Sequence, residues 1–388
     1  MKSYSVRPAN PRMKRVPLTN LVPGMVTSED VYTPNNQLIV PKNTTLTDKL
    51  IAKLELYSVL NVRIDEIETE ARKSNTATSK ITPASEVEVG EEEPEGLSYS
   101  EIIKSSPEFV EFQANFDEAI DGFKSSMNAI IEQGEPIDVN EVFHNTIDMF
   151  DMEKNSSHGF FHILQNMRQY DDLTYAHSLN VALISNVLAG WLHFSPEDQK
   201  LATVCGLFHD IGKLTIPDSI TKKPDKLTDE EYKIMKNHTV AGFQLLQNQD
   251  VDDHIKNAAL MHHEKCDGSG YPLGIPGSQI DKFAKIVAIA DVYDAMTAAR
   301  VYRGPMCPFT VVEIFEKEGL QCYEAEYILC FLENVVMTFI NNRVKLTNGL
   351  IGDIVYINKQ HLSKPMVQCG SKFIDLSKEK DVSIECFV

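Results

Sequence analysis

The sequence predicts a mainly α protein: a helical bundle flanked by a small β-rich module at the amino terminus and a small β appendix at the carboxyl terminus. Three observations carry this. From residue 171 to residue 343, apolar residues recur at helical spacing in run after run, and five of the runs bring a histidine or an aspartate with them. Ahead of residue 66 the chain is punctuated by turn pairs such as Pro23-Gly24 and Asn35-Asn36. Beyond residue 344 the pattern changes to short apolar strands with a hairpin signal at Asn348-Gly349.

In chain order, residues 1–66 read as short strands, a helix over 47–57 and a strand over 59–64. This module carries no histidine or cysteine, so its expected role is regulatory or structural. Residues 71–100 shift to Ser, Thr, Pro and Glu and close on EVEVGEEEPEG, too polar to bury a core, which predicts a disordered acidic linker. Residues 101–170 form a helical region leading into the bundle. Phe109, Phe112, Phe116, Ile120, Phe123, Met127 and Ile130 make an apolar stripe over 107–133, as expected of a core face or a homodimer seam. Two more helices are expected over 140–151 and 159–169.

The bundle proper then supplies the chemistry. A helix over 174–192 carries His177 in its first turn, and one over 199–211 ends in His209-Asp210, with Gly212 as the stop. Thr228 and Glu231 have capping-box spacing and open a helix through Lys236, just ahead of His238. The run 255–263 ends in His262-His263, and 283–302 is a long helix carrying Asp291. After the bundle, residues 344–388 read as strands.

His177, His209, Asp210, His238, His262, His263 and Asp291 together form an imidazole and carboxylate set that suits divalent iron, manganese, zinc or nickel, and seven such groups suffice for two ions. Helical bundles build metal sites in this way, with one or two ligands per helix. Any one of these histidines alone would be read as an ordinary residue, as are His144, His158, His162, His193, His254 and His361. The adjacent pairs are different: Asp210 ends an otherwise apolar helix, where a carboxylate is costly unless paired or metal-bound.

The blocks YAHSLNVA at 175–182, GLFHDIGKLTIPDSI at 206–220, KLTDEEYKIMKNHTVAGFQLL at 226–246, HHEKCDGSGYP at 262–272 and AIADVYDAMTAARVYR at 288–303 resemble the HD-GYP domain. This is the branch of the HD superfamily that hydrolyses cyclic di-GMP. The resemblance covers about a third of the chain, in the family's order and spacing. It implies an HD-superfamily helical bundle in which the seven residues named above are metal ligands and Asp210 bridges two divalent ions, iron or manganese first, zinc or nickel as alternatives. It implies further that Lys213 acts with Asp210 in catalysis, stabilising phosphoryl oxygens or protonating the departing 3'-oxygen. Gly270, Tyr271 and Pro272 form the substrate loop, and Arg300 and Arg303, expected one turn apart on the Asp291 helix, bind guanine or phosphate. Two departures stand out. Leu173 occupies the place where some members have a third-metal glutamate, so two ions are expected, and Cys266 stands where a tryptophan is usual.

Two ions about 3.5–4 Å apart lower the pKa of a shared water enough to give hydroxide near neutral pH, and they stabilise both the attacking and leaving oxygens at phosphorus. A net charge of -19 argues against a nucleic-acid polymer as partner, because such binding needs many cations, but a small dianionic nucleotide can still be captured by metal. No apolar run reaches the roughly 18 residues of a membrane span, so no membrane insertion is expected. Cys205, Cys266, Cys307, Cys322, Cys330, Cys369 and Cys386 include no CxxC pair, as expected of reduced thiols in a bacterial cytoplasm. The expected function is therefore hydrolysis of cyclic di-GMP to pGpG, GMP or both. The alternatives are a phosphohydrolase for another nucleotide, such as cyclic GMP-AMP, and a non-catalytic cyclic di-GMP sensor.

Overall fold

The computed structural model of the chain describes residues 13–17, 21–32, 38–56, 59, 61–65, 104–147, 160, 161, 164, 173–221, 223, 227–298 and 306–388. The expected linker at 71–100 lies outside them. The fold is mainly helical, with small antiparallel sheets at both ends. At the amino terminus β1 (Met13–Pro17) pairs with β4 (Asn61–Asp65), and β2 (Val31–Tyr32) pairs with β3 (Leu38–Val40). Helix α1 (Asp48–Leu56) connects β3 to β4 and begins one residue later than its apolar pattern predicts.

Ser106 starts α2 (Pro107–Gln133) by accepting the Phe109 amide, and Gly134, at φ 68°, ends it. The expected stripe is buried except for the half-buried Ile130: Phe123 meets Tyr175 and Phe208 edge-on, with centroids 5.9 and 6.1 Å away, so the stripe serves the core of this chain. Helix α3 (Val139–Thr146) is capped by Asp138. Its expected continuation past residue 147 and most of the helix expected over 159–169 lie outside the described residues.

The bundle follows with α4 (Leu173–Trp191), α5 (Pro196–Phe208), a 3-10 turn (Ile211–Thr215), α6 (Asp218–Thr221), α7 (Asp229–Lys236), α8 (His238–Gln247), α9 (Asp253–Met261) and α10 (Lys282–Thr297). The capping box of Thr228 and Glu231 is formed. Helix α5 starts three residues before the predicted one, because Ser195 caps it and Pro196 takes the first helical position. It also ends earlier, at Phe208, which leaves Asp210 just outside the α-helix at the head of the 3-10 turn.

Gly212 is therefore no helix stop; it makes a close approach possible. A Cβ there would lie 1.9 Å from the His238 carbonyl oxygen and 2.5 Å from the Gly242 amide nitrogen. Only glycine lets the turn that carries Asp210 rest directly on α8. The long helix expected over 283–302 is also corrected. It ends at Thr297, whose hydroxyl bonds back to the Tyr293 carbonyl, and Ala298 is extended at ψ 149°. Arg300 and Arg303 both lie outside the described residues.

Beyond the bundle come α11 (Pro308–Ile314), a π turn (Phe315–Gly319), α12 (Leu320–Cys322) and α13 (Ala325–Met337). Five antiparallel strands complete the chain in the order β8-β7-β6-β5-β9: β5 (Arg343–Leu346), β6 (Ile351–Tyr356), β7 (Met366–Cys369), β8 (Lys372–Asp375) and β9 (Ile384–Phe387). The Asn348-Gly349 pair turns β5 into β6, with Gly349 at φ 85°. Phe339 joins the sheet to the helices by packing on Phe309 and Phe387. Among the described residues no helix is long and apolar enough to cross a membrane.

Gly212→Ala tests the close approach. The substitution is expected to destabilise the protein by about 3 kcal/mol through overpacking against α8, read as a lowered thermal unfolding midpoint. An unchanged midpoint would show that the turn and α8 separate without cost.

Candidate metal centre

All seven predicted ligand side chains meet at one place. His177 comes from the start of the second turn of α4, and His209 and Asp210 from the segment after α5. His238 opens α8, His262 caps α9 with His263 directly after it, and Asp291 comes from the middle of α10. Asp210 is 2% exposed and sits between two groups of the others. Its Oδ2 lies 3.2 Å from His209 Nε2 and 3.6 Å from His177 Nε2, while its Oδ1 lies 3.3 Å from His238 Nε2 and 3.8 Å from His262 Nε2. Asp291 spans the groups in the same manner, with Oδ1 3.1 Å from His177 Nε2 and Oδ2 3.6 Å from His263 Nδ1.

The backbone dictates which imidazole nitrogens face inward. His209 Nδ1 donates to the Gly206 carbonyl at 2.6 Å, His238 Nδ1 to Met235 at 2.7 Å and His262 Nδ1 to Ala258 at 3.0 Å. A carbonyl only accepts, so Nδ1 carries a proton in all three, and a neutral ring then turns its Nε2 lone pair inward. Burial, with Lys213 adding to it, depresses His238 to about 4 against the pull of Asp210, and burial with His209 and His238 nearby depresses His262 to about 3. Both rings are thus neutral at neutral pH, yet their Nε2 atoms stand 3.2 Å apart with Asp210 Oδ1 beside them. Three acceptors converge with no proton to share. His209 Nε2 and Asp210 Oδ1 are moreover buried without a hydrogen-bond partner. A cation is what satisfies such a cluster, and the nitrogen and oxygen donors fit a divalent metal.

Charge is arranged around that need. Burial would raise the Asp210 carboxyl, but His209 and Lys213 outweigh it and hold the group well below the usual carboxylate range. The Lys213 ammonium donates directly to Asp210 Oδ2, from a 3-10 turn, not the α-helical turn its spacing suggested. Burial would likewise depress His177, yet hydrogen bonds and charge from Asp291 and Asp294 raise it to about 9.

Asp294 is a functional residue that the sequence reading missed. One turn after Asp291, it is 2% exposed, and its Oδ2 lies 2.8 Å from His177 Nδ1 while Asn180 donates to its Oδ1 at 3.1 Å. A carboxylate on the far nitrogen fixes ring orientation and raises ligand basicity. Its signal was present in the sequence: a second aspartate one turn along an otherwise apolar helix.

Glu264 was also passed over. Its buried carboxylate accepts the amides of Leu273 at 2.6 Å, Gly274 at 3.1 Å and Ile275 at 3.2 Å, which folds the GYP loop back onto the histidine pair. Gly270 makes this fit, since a Cβ there would lie 2.4 Å from Glu264 Cα. Tyr271, joined to Pro272 by a cis peptide, stacks on His263 with centroids 4.7 Å apart. Cys266 anchors the loop through its backbone, its amide donating to the Cys322 carbonyl at 2.8 Å. The Leu173 side chain lies outside the described part of α4.

Residues 161–326 match the family described as HD domain. The chain is 38% identical over 141 residues to a cyclic di-GMP phosphodiesterase of Pseudomonas aeruginosa, spanning 36% of this chain and 34% of that protein. It is 42% identical over 145 residues to the 3'3'-cGAMP-specific phosphodiesterase 1 of Vibrio cholerae, 37% of this chain and 34% of that one. A cyclic di-GMP phosphodiesterase of Thermotoga maritima is 40% identical over 146 residues, 37% of this chain and 40% of that one. The chain thus spans between a third and two fifths of the length of these curated relatives. The His209-Asp210 pair and the Gly270-Tyr271-Pro272 triplet stand together at the centre of the segment, residues 161–326, that matches the HD domain family.

Proposed function

We propose that this chain is a metal-dependent phosphodiesterase that hydrolyses cyclic di-GMP to pGpG, GMP or both. Its centre holds two divalent ions, iron or manganese, with zinc or nickel as alternatives. The observation that carries this reading is the division of Asp210: one oxygen faces His177 and His209, the other His238 and His262. A carboxylate shared in that way suits a pair of ions, with Asp291 completing the first set and His263 the second. When bound, the ions supply the Lewis acidity that activates water near neutral pH and neutralises charge developing at phosphorus.

The chain's own residues do the rest. Lys213, bonded to Asp210 and partly open to solvent, reaches the phosphoryl oxygens or the departing 3'-oxygen. Asp294 keeps His177 turned toward the centre, and Glu264 holds the Tyr271 loop over His263 as a wall of the substrate site. Arg300 and Arg303 are assigned to guanine or phosphate. The relative named for 3'3'-cGAMP, at 42% identity, favours cyclic GMP-AMP as a second substrate reading. A sensor without catalysis would need neither Lys213 nor a water-activating centre. The flanking regions, 1–66, 71–100, 101–170 and 344–388, are assigned regulatory and structural roles around a catalytic domain at 171–343, in a cytoplasmic protein.

Incubating manganese- or iron-loaded protein with cyclic di-GMP and with cyclic GMP-AMP, and resolving the products, tests the reading; release of pGpG or GMP is expected, and inertness toward both substrates contradicts it. Asp210→Ala is expected to abolish turnover. Lys213→Ala should lower kcat by about 10²-fold with KM little changed, as removal of a group acting on developing charge does. Loss of metal in the Lys213 variant would reassign it to the centre's assembly. Asp294→Ala should weaken one ion of the two by roughly 10–100-fold, seen in metal titrations as one site falling away while the other holds. Equal affinity in wild type and variant would remove Asp294 from its positioning role.

A further inference from the structure

Lys236 ends α7, two residues ahead of His238. Its ammonium lies 4.6 Å from the centroid of the Tyr271 ring, the same ring that stacks on His263. The helix begins with Asp229, Glu230 and Glu231, three carboxylates available to a lysine of the same segment. Glu231 instead takes Lys223, at 2.6 and 2.8 Å, and no carboxylate among the described residues pairs with Lys236. A lysine of ordinary surface function extends into water, whereas this one is drawn partly under cover onto an aromatic face beside the metal centre. The ring face returns only part of what the ammonium loses in leaving water. In a chain of net charge -19, an unpaired cation held here is suited to an anion that arrives from outside.

Resting on the phosphodiesterase reading above, we propose that Lys236 is a substrate-binding residue that contacts a phosphoryl oxygen of the cyclic dinucleotide's second phosphodiester, the one not being cleaved. The scissile phosphate belongs at the face of the centre that Asp210 and Lys213 share. Lys236 is joined to the centre through Tyr271 and His263, not through Asp210, so it is assigned to a part of the substrate away from the reacting phosphorus. A cyclic dinucleotide carries a second phosphodiester across its ring, and a substrate with one phosphodiester carries nothing there. Such a contact adds binding without touching the chemical step.

The test follows hydrolysis of bis(p-nitrophenyl) phosphate, which has a single phosphodiester, by metal-loaded wild type, Lys236→Met and Lys236→Arg, with cyclic di-GMP as competing inhibitor. In Lys236→Met the inhibition constant for cyclic di-GMP should rise about tenfold more than KM for the aryl diester, as loss of one charge-assisted hydrogen bond does. Lys236→Arg should restore most of the difference. An unchanged inhibition constant overturns the proposal. So does an equal loss on both compounds, which makes Lys236 a support for Tyr271 and nothing more. A wild-type enzyme that hydrolyses the aryl diester yet is not inhibited by cyclic di-GMP contradicts the substrate reading itself, and the proposal falls with it.

Discussion

The buried carboxylate of Asp210 is the constraint around which the bundle is organised. An anion at 2% exposure is costly to hold, and the Lys213 ammonium on one oxygen offsets part of that cost. Its position comes from the backbone. Helix α5 stops at Phe208, the chain turns through a 3-10 segment, and Gly212 lets that segment rest on the start of α8, where His238 is anchored. A side chain at residue 212 would push Asp210 away from His238 and separate the two halves of the site.

Around this carboxylate, four of the imidazoles are each aimed by a partner on the far side of the ring. Backbone carbonyls of Gly206, Met235 and Ala258 turn His209, His238 and His262 inward, and Asp294 does the same for His177. The cost of three converging acceptors is thereby built into the fold, and only a cation relieves it. His263 is aimed differently: it is sandwiched in the loop system, stacked on Tyr271, whose position depends on the amides that Glu264 gathers. The substrate wall and the second ligand group are therefore one mechanical unit, with Lys236 at its edge.

Much of this was legible in the sequence, and the failures have physical causes. Apolar period places α2 at its observed bounds and the capping signal places α7 within one residue, because the stripe and the Thr228 and Glu231 box are local devices. The residues that converge at the centre stood out because adjacent His-Asp and His-His pairs end apolar helices. The early end of α5 was not legible: Gly212 resembles a stop in sequence, and its actual role depends on α8, which arrives later in the chain. The end of α10 at Thr297 was hidden as well, since 283–302 remains apolar and alanine-rich beyond it. Asp294, Glu264 and Lys236 act through groups distant in sequence, which no local spacing reveals.

The central claim is that Asp210 joins two ions. The most direct measurement is anomalous diffraction from crystals of the manganese-loaded protein. Two peaks about 3.5–4 Å apart are predicted on either side of Asp210, one with His177, His209 and Asp291, the other with His238, His262 and His263. A single peak, or two peaks that do not share Asp210, would contradict the account.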